Sequence, residues 1–306
     1  MNSRVILNLV LLLVVAGLIL VVYLQPGVEK EAKPPTLLSI GPDDVNRIEI
    51  KPASKDAITF AKKGSEWRIV SPLDARANTF RINALLRLTH TPVRKQYDVA
   101  PADLAKFKLD KPLGVIQLND IKIAFGDSES INHYRYVMVD GKVYLTTDSY
   151  FQNLQTSLAS YVDTRLLAPD SKIAAIELPD MTIKTGDKGE WLVHPEQTDM
   201  TVDAPQTLVD EWKEAQALRV SGYQGDTSQG TIKITLEKHT KPLEFQVLER
   251  DPELILGRDD IKMRYHISDE QADKLMHLEV KESQPQATQS QTSNESQPEQ
   301  DDVPPK

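Results

Sequence analysis

Six histidines, three Asp-Asp pairs and three tryptophans are the first side chains of this chain to weigh for chemistry. His90, His133, His194, His239, His266 and His277 stand in no H-x-x-x-H or H-E-x-x-H spacing, so sequence gives no helical pair able to hold zinc. The absence of cysteine removes thiolate ligands and disulfides. Asp43-Asp44, Asp259-Asp260 and Asp301-Asp302 fall in predicted turns or in the tail, where solvated acids are expected rather than a glycosidase pair. A G-x-S-x-G nucleophile elbow, a phosphate loop and a dinucleotide fingerprint are all missing. Gly126-Asp127-Ser128-Glu129-Ser130 is a polar loop facing a strand end, and it reads as a connection more readily than as a ligand site. Trp67, Trp191 and Trp212 could be sugar platforms, but Trp67 and Trp191 recur at equivalent strand positions, which favours a core role. No catalytic, cofactor-binding or metal residue is assigned. No cofactor is expected, and the chain reads as a non-enzyme.

The element that positions everything else is the run Val5 to Leu24, VILNLVLLLVVAGLILVVYL. It has no charge, and Asn8 is its only strongly polar side chain. A helix of that length spans about 30 Å, the thickness of a bilayer's hydrocarbon core. A cleaved signal peptide would have a shorter apolar region and small residues at its end. Here the run closes on Val21, Val22, Tyr23, Leu24, Gln25 and Pro26. A buried core helix seldom runs so long without polar residues. An uncleaved membrane anchor over 1–24 is therefore expected, with Tyr23 at the outer interface. Arg4 alone flanks the N-terminal side, against Glu29, Lys30, Glu31 and Lys33 beyond, so the N-terminus is placed in the cytoplasm and the bulk of the chain outside it.

The 306 residues carry a formal net charge of −9, and no basic stripe interrupts the acidic part, which argues against a nucleic-acid partner. Residues 25–36 are Pro-rich and charged and read as a linker. Residues 283–306 are low complexity in Gln, Ser, Pro and Glu and read as a disordered tail.

Between linker and tail the chain repeats itself. Val45-Asn-Arg-Ile-Glu-Ile50 matches Ile173-Ala-Ala-Ile-Glu-Leu178. Gly64, Glu66-Trp67, Ile69-Val70 and Pro72 match Gly189, Glu190-Trp191, Leu192-Val193 and Pro195. The segment ending at Tyr97 matches that ending at Tyr223, and Val143–Leu154 matches Arg264–Leu275. The two copies are placed at 37–168 and 169–282.

In copy one, strands are expected at Val45–Lys51, Ala57–Lys62 and Glu66–Val70. A helix follows from Asn78 to about Thr89, with Ile82, Leu85, Leu86 and Thr89 on one face. A short helical turn at Pro101–Phe107 comes next. Further strands are Val115–Leu118, Ile121–Phe125, Arg135–Val139 and Lys142–Thr146, the last pair joined at Asp140-Gly141. Asp148 is expected to cap a closing helix carrying Phe151, Leu154, Leu158, Tyr161 and Val162. In copy two a helix from Pro205 should bury Leu208, Val209, Trp212 and Leu218. A last helix, opened by the capping box Ser268-x-x-Gln271, should bury Ala272, Leu275 and Met276. The expected class is α+β: an N-terminal transmembrane helix, then two tandem repeats of mainly antiparallel sheet with covering helices.

Trp67-Arg-Ile-Val-Ser-Pro72, Leu109-Asp-Lys-Pro112 and Tyr134-Arg-Tyr-Val137 leading to Val143-Tyr144 carry a resemblance. In these motifs the chain resembles a bacterial membrane-anchored family catalogued as domain of unknown function 4340. The family's glycine before that leucine is Lys108 here, and its hairpin glycine is Tyr134. Members are often found beside gliding-type ABC exporter components, so the resemblance implies an accessory envelope role and brings no active site. The expectation is a single-pass protein of a bacterial inner membrane, a non-enzymatic accessory or scaffold subunit with a membrane-protein partner. An ABC-type transport system is one candidate, and a binding module for envelope glycan or a small ligand is the alternative.

Overall fold

The structure is a computed structural model and describes residues 3–24, 35–225 and 227–280. Most of the expected linker, the expected tail and the Tyr23 side chain lie outside the described residues.

Helix α1 runs over Ser3–Leu24. The window Ser3–Leu20 has a mean hydropathy of 2.5, and none of it is buried against the rest of the protein. Its large apolar side chains between Val5 and Leu20 are 48% to 69% exposed. By length and composition the helix can cross a bilayer, a test that a signal sequence also passes. The remainder is α+β and divides into two compact units, Met1–Val162 and Asp163–Lys306. The division falls before the 168/169 junction of the sequence alignment.

Unit 1 holds an all-antiparallel sheet of nine strands in the order β4-β3-β2-β1-β6-β7-β8-β9-β5. The strands are β1 (Arg47–Pro52), β2 (Ile58–Lys63), β3 (Glu66–Ser71), β4 (Ala75–Arg76), β5 (Lys95–Tyr97), β6 (Gly114–Leu118), β7 (Ile121–Ser128), β8 (Arg135–Val139) and β9 (Lys142–Thr146). Alternation decides which face is dry. Ile48 and Ile50 of β1, with Ile116 and Leu118 of β6, are fully buried, as are Ile82 and Leu85 of helix α2 (Thr79–Leu86). Asn78 opens α2 as expected: its Oδ1 accepts from the Arg81 N–H at 3.1 Å. A cap of this kind is worth about 1 kcal/mol. The opposite face is covered by the 3-10 helix Pro101–Phe107. There Leu109, Ala124 and Val143 are buried, with Tyr97, Phe107, Tyr136 and Met138 packed against them.

Unit 2 repeats the order, β12-β11-β10-β14-β15-β16-β17-β13, again antiparallel throughout. Its strands are β10 (Ile173–Glu177), β11 (Thr182–Thr185), β12 (Trp191–His194), β13 (Arg219–Gly222), β14 (Gly230–Leu236), β15 (Leu243–Glu249), β16 (Leu254–Arg258) and β17 (Met263–Ile267). Matching β10 to β1, and so on to β17 and β9, the two orders agree strand for strand; only β4 has no counterpart. The turn before the repeated tryptophan, Trp67 or Trp191, uses a left-handed glycine in each unit, Gly64 (φ 65°) and Gly189 (φ 83°). The ends agree as well. Ala77 bridges Val162, and Met200 bridges Val280; Thr36 bridges Pro92, and Arg165 bridges Gln216. Leu37 N–H donates to the Thr91 carbonyl and Leu166 N–H to that of Ala215. Each copy therefore begins with a short bridging segment containing two leucines, Leu37-Leu38 or Leu166-Leu167, so Asp163–Ala168 opens unit 2.

Helix α4 (Ala204–Glu214) buries Leu208, Val209 and Trp212, and α5 (Asp269–Met276) buries Ala272, Leu275 and Met276. Ser268 caps α5 by accepting from the Gln271 N–H at 3.4 Å.

Several expectations give way. The closing helix of copy one is not one helix: the four-residue α3 (Gln152–Gln155) is followed by a separate 3-10 turn, Leu158–Tyr161. Asp148 caps neither, because its carboxylate is held by Arg135. Leu218 is 69% exposed, since α4 ends at Glu214 and Leu218 leads into edge strand β13. Trp67 and Trp191 are half-buried at the sheet margin, whereas Trp212 is in the core. Gly126, Asp127 and Ser128 belong to β7 and not to a loop.

Candidate functional site

A connected set of polar side chains gathers on the second face of unit 2, near its β13 edge. Pairing places Arg219 opposite His266 and Ser221 opposite Arg264. In a pleated pair such neighbours share a face, so all four project to the same side. Glu253, just before β16, completes the group. One oxygen of its carboxylate, Oε1, lies 2.8 Å from His266 Nδ1. His266 Nε2 lies 2.8 Å from Ser221 Oγ and 2.9 Å from Arg219 Nη1. Arg219 Nη2 donates to Glu253 Oε1 at 3.0 Å, and Arg264 Nε donates to Ser221 Oγ at 3.0 Å.

The proton positions follow from the partners. An ionised carboxylate only accepts, so Nδ1 carries the hydrogen and donates to Glu253. The neutral ring is then left with an acceptor at Nε2, which suits a hydroxyl proton from Ser221 and an N–H from Arg219. Glu253 is held below the usual carboxylate range, first by the hydrogen bond from His266, with the charge and hydrogen bond of Arg219 adding to it. Its side chain is 29% exposed and that of Arg219 57%, while His266 is 2% exposed.

Unit 1 supplies an internal control. By strand register the places of Arg219, Ser221, Arg264 and His266 are taken there by Lys95, Tyr97, Val143 and Leu145, so Tyr97 corresponds to Ser221 and not, as the sequence match has it, to Tyr223. Val143 and Leu145 are buried, and Tyr97 packs against Phe107 beneath the helix Pro101–Phe107. The described residues of the link from β13 to β14 contain no helix. The second copy thus exchanges a covered apolar cluster for an uncovered polar one.

The residues singled out in sequence go elsewhere. Asp44 Oδ2 accepts from the Gly41 N–H at 2.9 Å inside a 3-10 turn. Asp259 pairs with Lys262 at 3.5 Å, and Asp260 binds both Nε (2.8 Å) and Nη2 (2.5 Å) of Arg258. These are turn-stabilising contacts. Asp301-Asp302 lies outside the described residues. Asp127 pairs with Lys108 at 2.8 Å. His90 meets Thr89 Oγ1 at 3.1 Å, His239 meets the Glu237 carbonyl at 3.1 Å, and His133 turns the β7–β8 connection with φ 55°. Among the described residues no three of His, Asp and Glu gather at metal-binding distance. Trp191 donates to Gln206 Oε1 at 2.8 Å, which ties the sheet margin to α4.

Sequence reasoning passed over Arg219, Ser221, Glu253 and Arg264. They form no linear motif, because hydrogen-bonded partners in the group stand 13 to 47 residues apart. The one available signal was alternation: Arg219-Val-Ser221 and Arg264-Tyr-His266 put polar groups on one face of strands whose other face is apolar.

The family model described as "Domain of unknown function (DUF4340)" matches residues 67–233. The chain belongs to this family. The matched stretch runs from β3 of the first unit to β14 of the second, so it includes Arg219 and Ser221 and stops before Glu253, Arg264 and His266. No curated protein and no solved structure matches the chain. Two departures from the family pattern are absorbed locally. Lys108, in the glycine's place, takes the left-handed conformation itself (φ 53°), and His133 does so beside Tyr134.

Proposed function

We propose that this DUF4340 protein is a single-pass protein of a bacterial inner membrane. Its N-terminus would be cytoplasmic and its two α+β units periplasmic or otherwise extracytoplasmic, serving as an accessory or scaffold subunit of a membrane system. The observation that carries the reading is α1, whose large apolar side chains between Val5 and Leu20 stay exposed among the described residues. Water would penalise that surface at about 25 cal/mol per Å², and lipid would not. Arg4 on the short side of the helix supports the orientation. An ABC-type transport system is the partner class we favour.

The test uses the absence of native cysteine. Single cysteines at Ser3 and at the exposed Glu196 are treated in intact cells with a membrane-impermeant maleimide. Glu196→Cys should react in intact cells, and Ser3→Cys only after lysis. The reverse pattern, or a mature chain lacking α1, would overturn the topology. Purification in mild detergent should bring down other membrane proteins; a solitary chain after cross-linking would count against the scaffold role.

A second reading, a module binding envelope glycan or a small ligand, is favoured by the uncovered polar cluster of unit 2. A thermal-shift screen of the full chain with wall fragments and sugars separates the two: stabilisation that vanishes in Arg219→Ala supports binding.

A further inference from the structure

An uncovered sheet face is expected to be polar, so the charge of this surface needs no special cause. The arrangement within it does. His266 is 2% exposed, and each of its ring nitrogens is within 2.8 Å of a partner, the carboxylate on one side and the serine hydroxyl on the other. This is the order acid, imidazole, hydroxyl that activates a nucleophile: the carboxylate fixes the tautomer, the imidazole takes the proton, and the oxygen attacks. The same order recurs on unrelated folds, where it is recognised by geometry and not by sequence position. The matching positions of unit 1 hold Tyr97, Val143 and Leu145, so the repeated fold does not itself require these groups.

We propose that Ser221 is an acylable nucleophile, activated by His266 and Glu253, and that its substrates are carboxylic esters presented from the solvent side of the second sheet. This goes beyond the anchored-accessory reading and does not depend on it. The Ser221 hydroxyl proton passes to His266 Nε2 as the Oγ–acyl carbon bond forms. The ester C–O bond then breaks, and His266 returns the proton to the departing alcohol. Water enters by the same path: its proton goes to Nε2, its oxygen bonds the acyl carbon, and the released Oγ takes the proton back, giving the free acid. Glu253, holding Nδ1–H, stabilises the imidazolium that forms in between.

Two arginines fit this assignment. Arg264 Nε–H donates to Oγ at 3.0 Å and so favours negative charge on that oxygen. Arg219 Nη1 stands 2.9 Å from Nε2 on a side chain that is 57% exposed, and with Nη2 held by Glu253 Oε1 an exchange of the ring contact for a developing oxyanion would keep the ion pair.

The experiment uses the full-length protein in detergent and a fluorophosphonate probe, which forms an Oγ–phosphorus bond with loss of fluoride. Peptide mass spectrometry should place the adduct on Ser221. Ser221→Ala should abolish it. Glu253→Gln, which keeps the side-chain shape, should slow labelling at least tenfold, and His266→Ala by about a hundredfold or more, the usual range for losing a positioned base. Thermal melts of each variant report folding, and the Glu253→Gln rate decides the matter should His266→Ala be unstable. No Ser221 adduct on the folded wild-type protein, or labelling as fast in Glu253→Gln as in wild type, overturns the assignment.

Discussion

Arg135 grips Asp148 through both carboxylate oxygens, while its guanidinium lies over the Phe151 ring at 3.7 Å. Nη2 donates to Oδ2 at 2.8 Å, Nε donates to Oδ1, and Nη1 is taken up by the Gly126 carbonyl at 2.6 Å. The arginine is 6% exposed. A buried cation whose three nitrogens are all engaged tolerates loss of its anion poorly, because the charge then stays in place without compensation. Asp148→Ala should lower unfolding stability by about 3–5 kcal/mol in denaturant titrations, whereas Arg135→Met should cost clearly less. Equal losses would mean that the pair acts through its shape and not its charge.

Trp212 is the tryptophan the fold depends on. It is fully buried, donates Nε1–H to the Leu275 carbonyl at 2.9 Å, and lies 6.0 Å from the Phe245 ring. Trp212→Ala should cost about 3–5 kcal/mol. Trp67→Ala, at a half-buried margin, should cost less than half of that. Tryptophan fluorescence checks the assignment independently, since removing Trp212 should delete the blue-shifted part of the emission and removing Trp67 the red-shifted part.

The difference between these tryptophans shows what sequence can and cannot carry. The duplication was legible because Glu66-Trp67 and Glu190-Trp191 follow a turn glycine and precede a proline in both copies, and it accounts for the strand order the two sheets share. Recurrence marked Trp67 and Trp191 as important, but it could not show that their strands lie near the sheet margin, β12 at the edge and β3 beside only the two-residue β4. Asp148 was misplaced for a related reason. An acid before an apolar run resembles a helix cap until its true partner, Arg135 on β8, is known. The Glu253–His266–Ser221 group was hidden altogether, because only the pairing of β13 with β17 brings it together.

Gly126 is required by close approach. A Cβ built there would stand 2.2 Å from the Phe107 carbonyl oxygen and 2.9 Å from Leu109. Backbone cannot yield as a flexible side chain does, so the covering helix Pro101–Phe107 must lift off Tyr97 and Tyr136. Gly126→Ala should therefore destabilise by more than the 1–3 kcal/mol usual for overpacking. Hydrogen exchange should show the loss concentrated in 97–109. The contrast is Gly141, where nothing lies within 4 Å and the only demand is φ 76°; Gly141→Asn should be tolerated.

Lys108 and Asp127 give a prediction in pH. They meet at 2.8 Å where the covering helix ends against β7, and the Asp127 carboxyl is lowered first by the Lys108 hydrogen bond and then by the Ser128 N–H. A carboxylate with a depressed folded value stabilises the protein at pH above its unfolded value, near 4. That contribution is lost as pH falls through the depressed folded value. Lys108→Met should raise the titration midpoint of Asp127, read by carboxyl carbon chemical shift. It should also narrow the gap in stability between pH 6 and pH 2. Both side chains are roughly half exposed, so the gap is of the order found for surface pairs, about 0–1 kcal/mol, and should shrink in high salt. A midpoint unmoved by Lys108→Met would leave the Ser128 backbone bond as the cause.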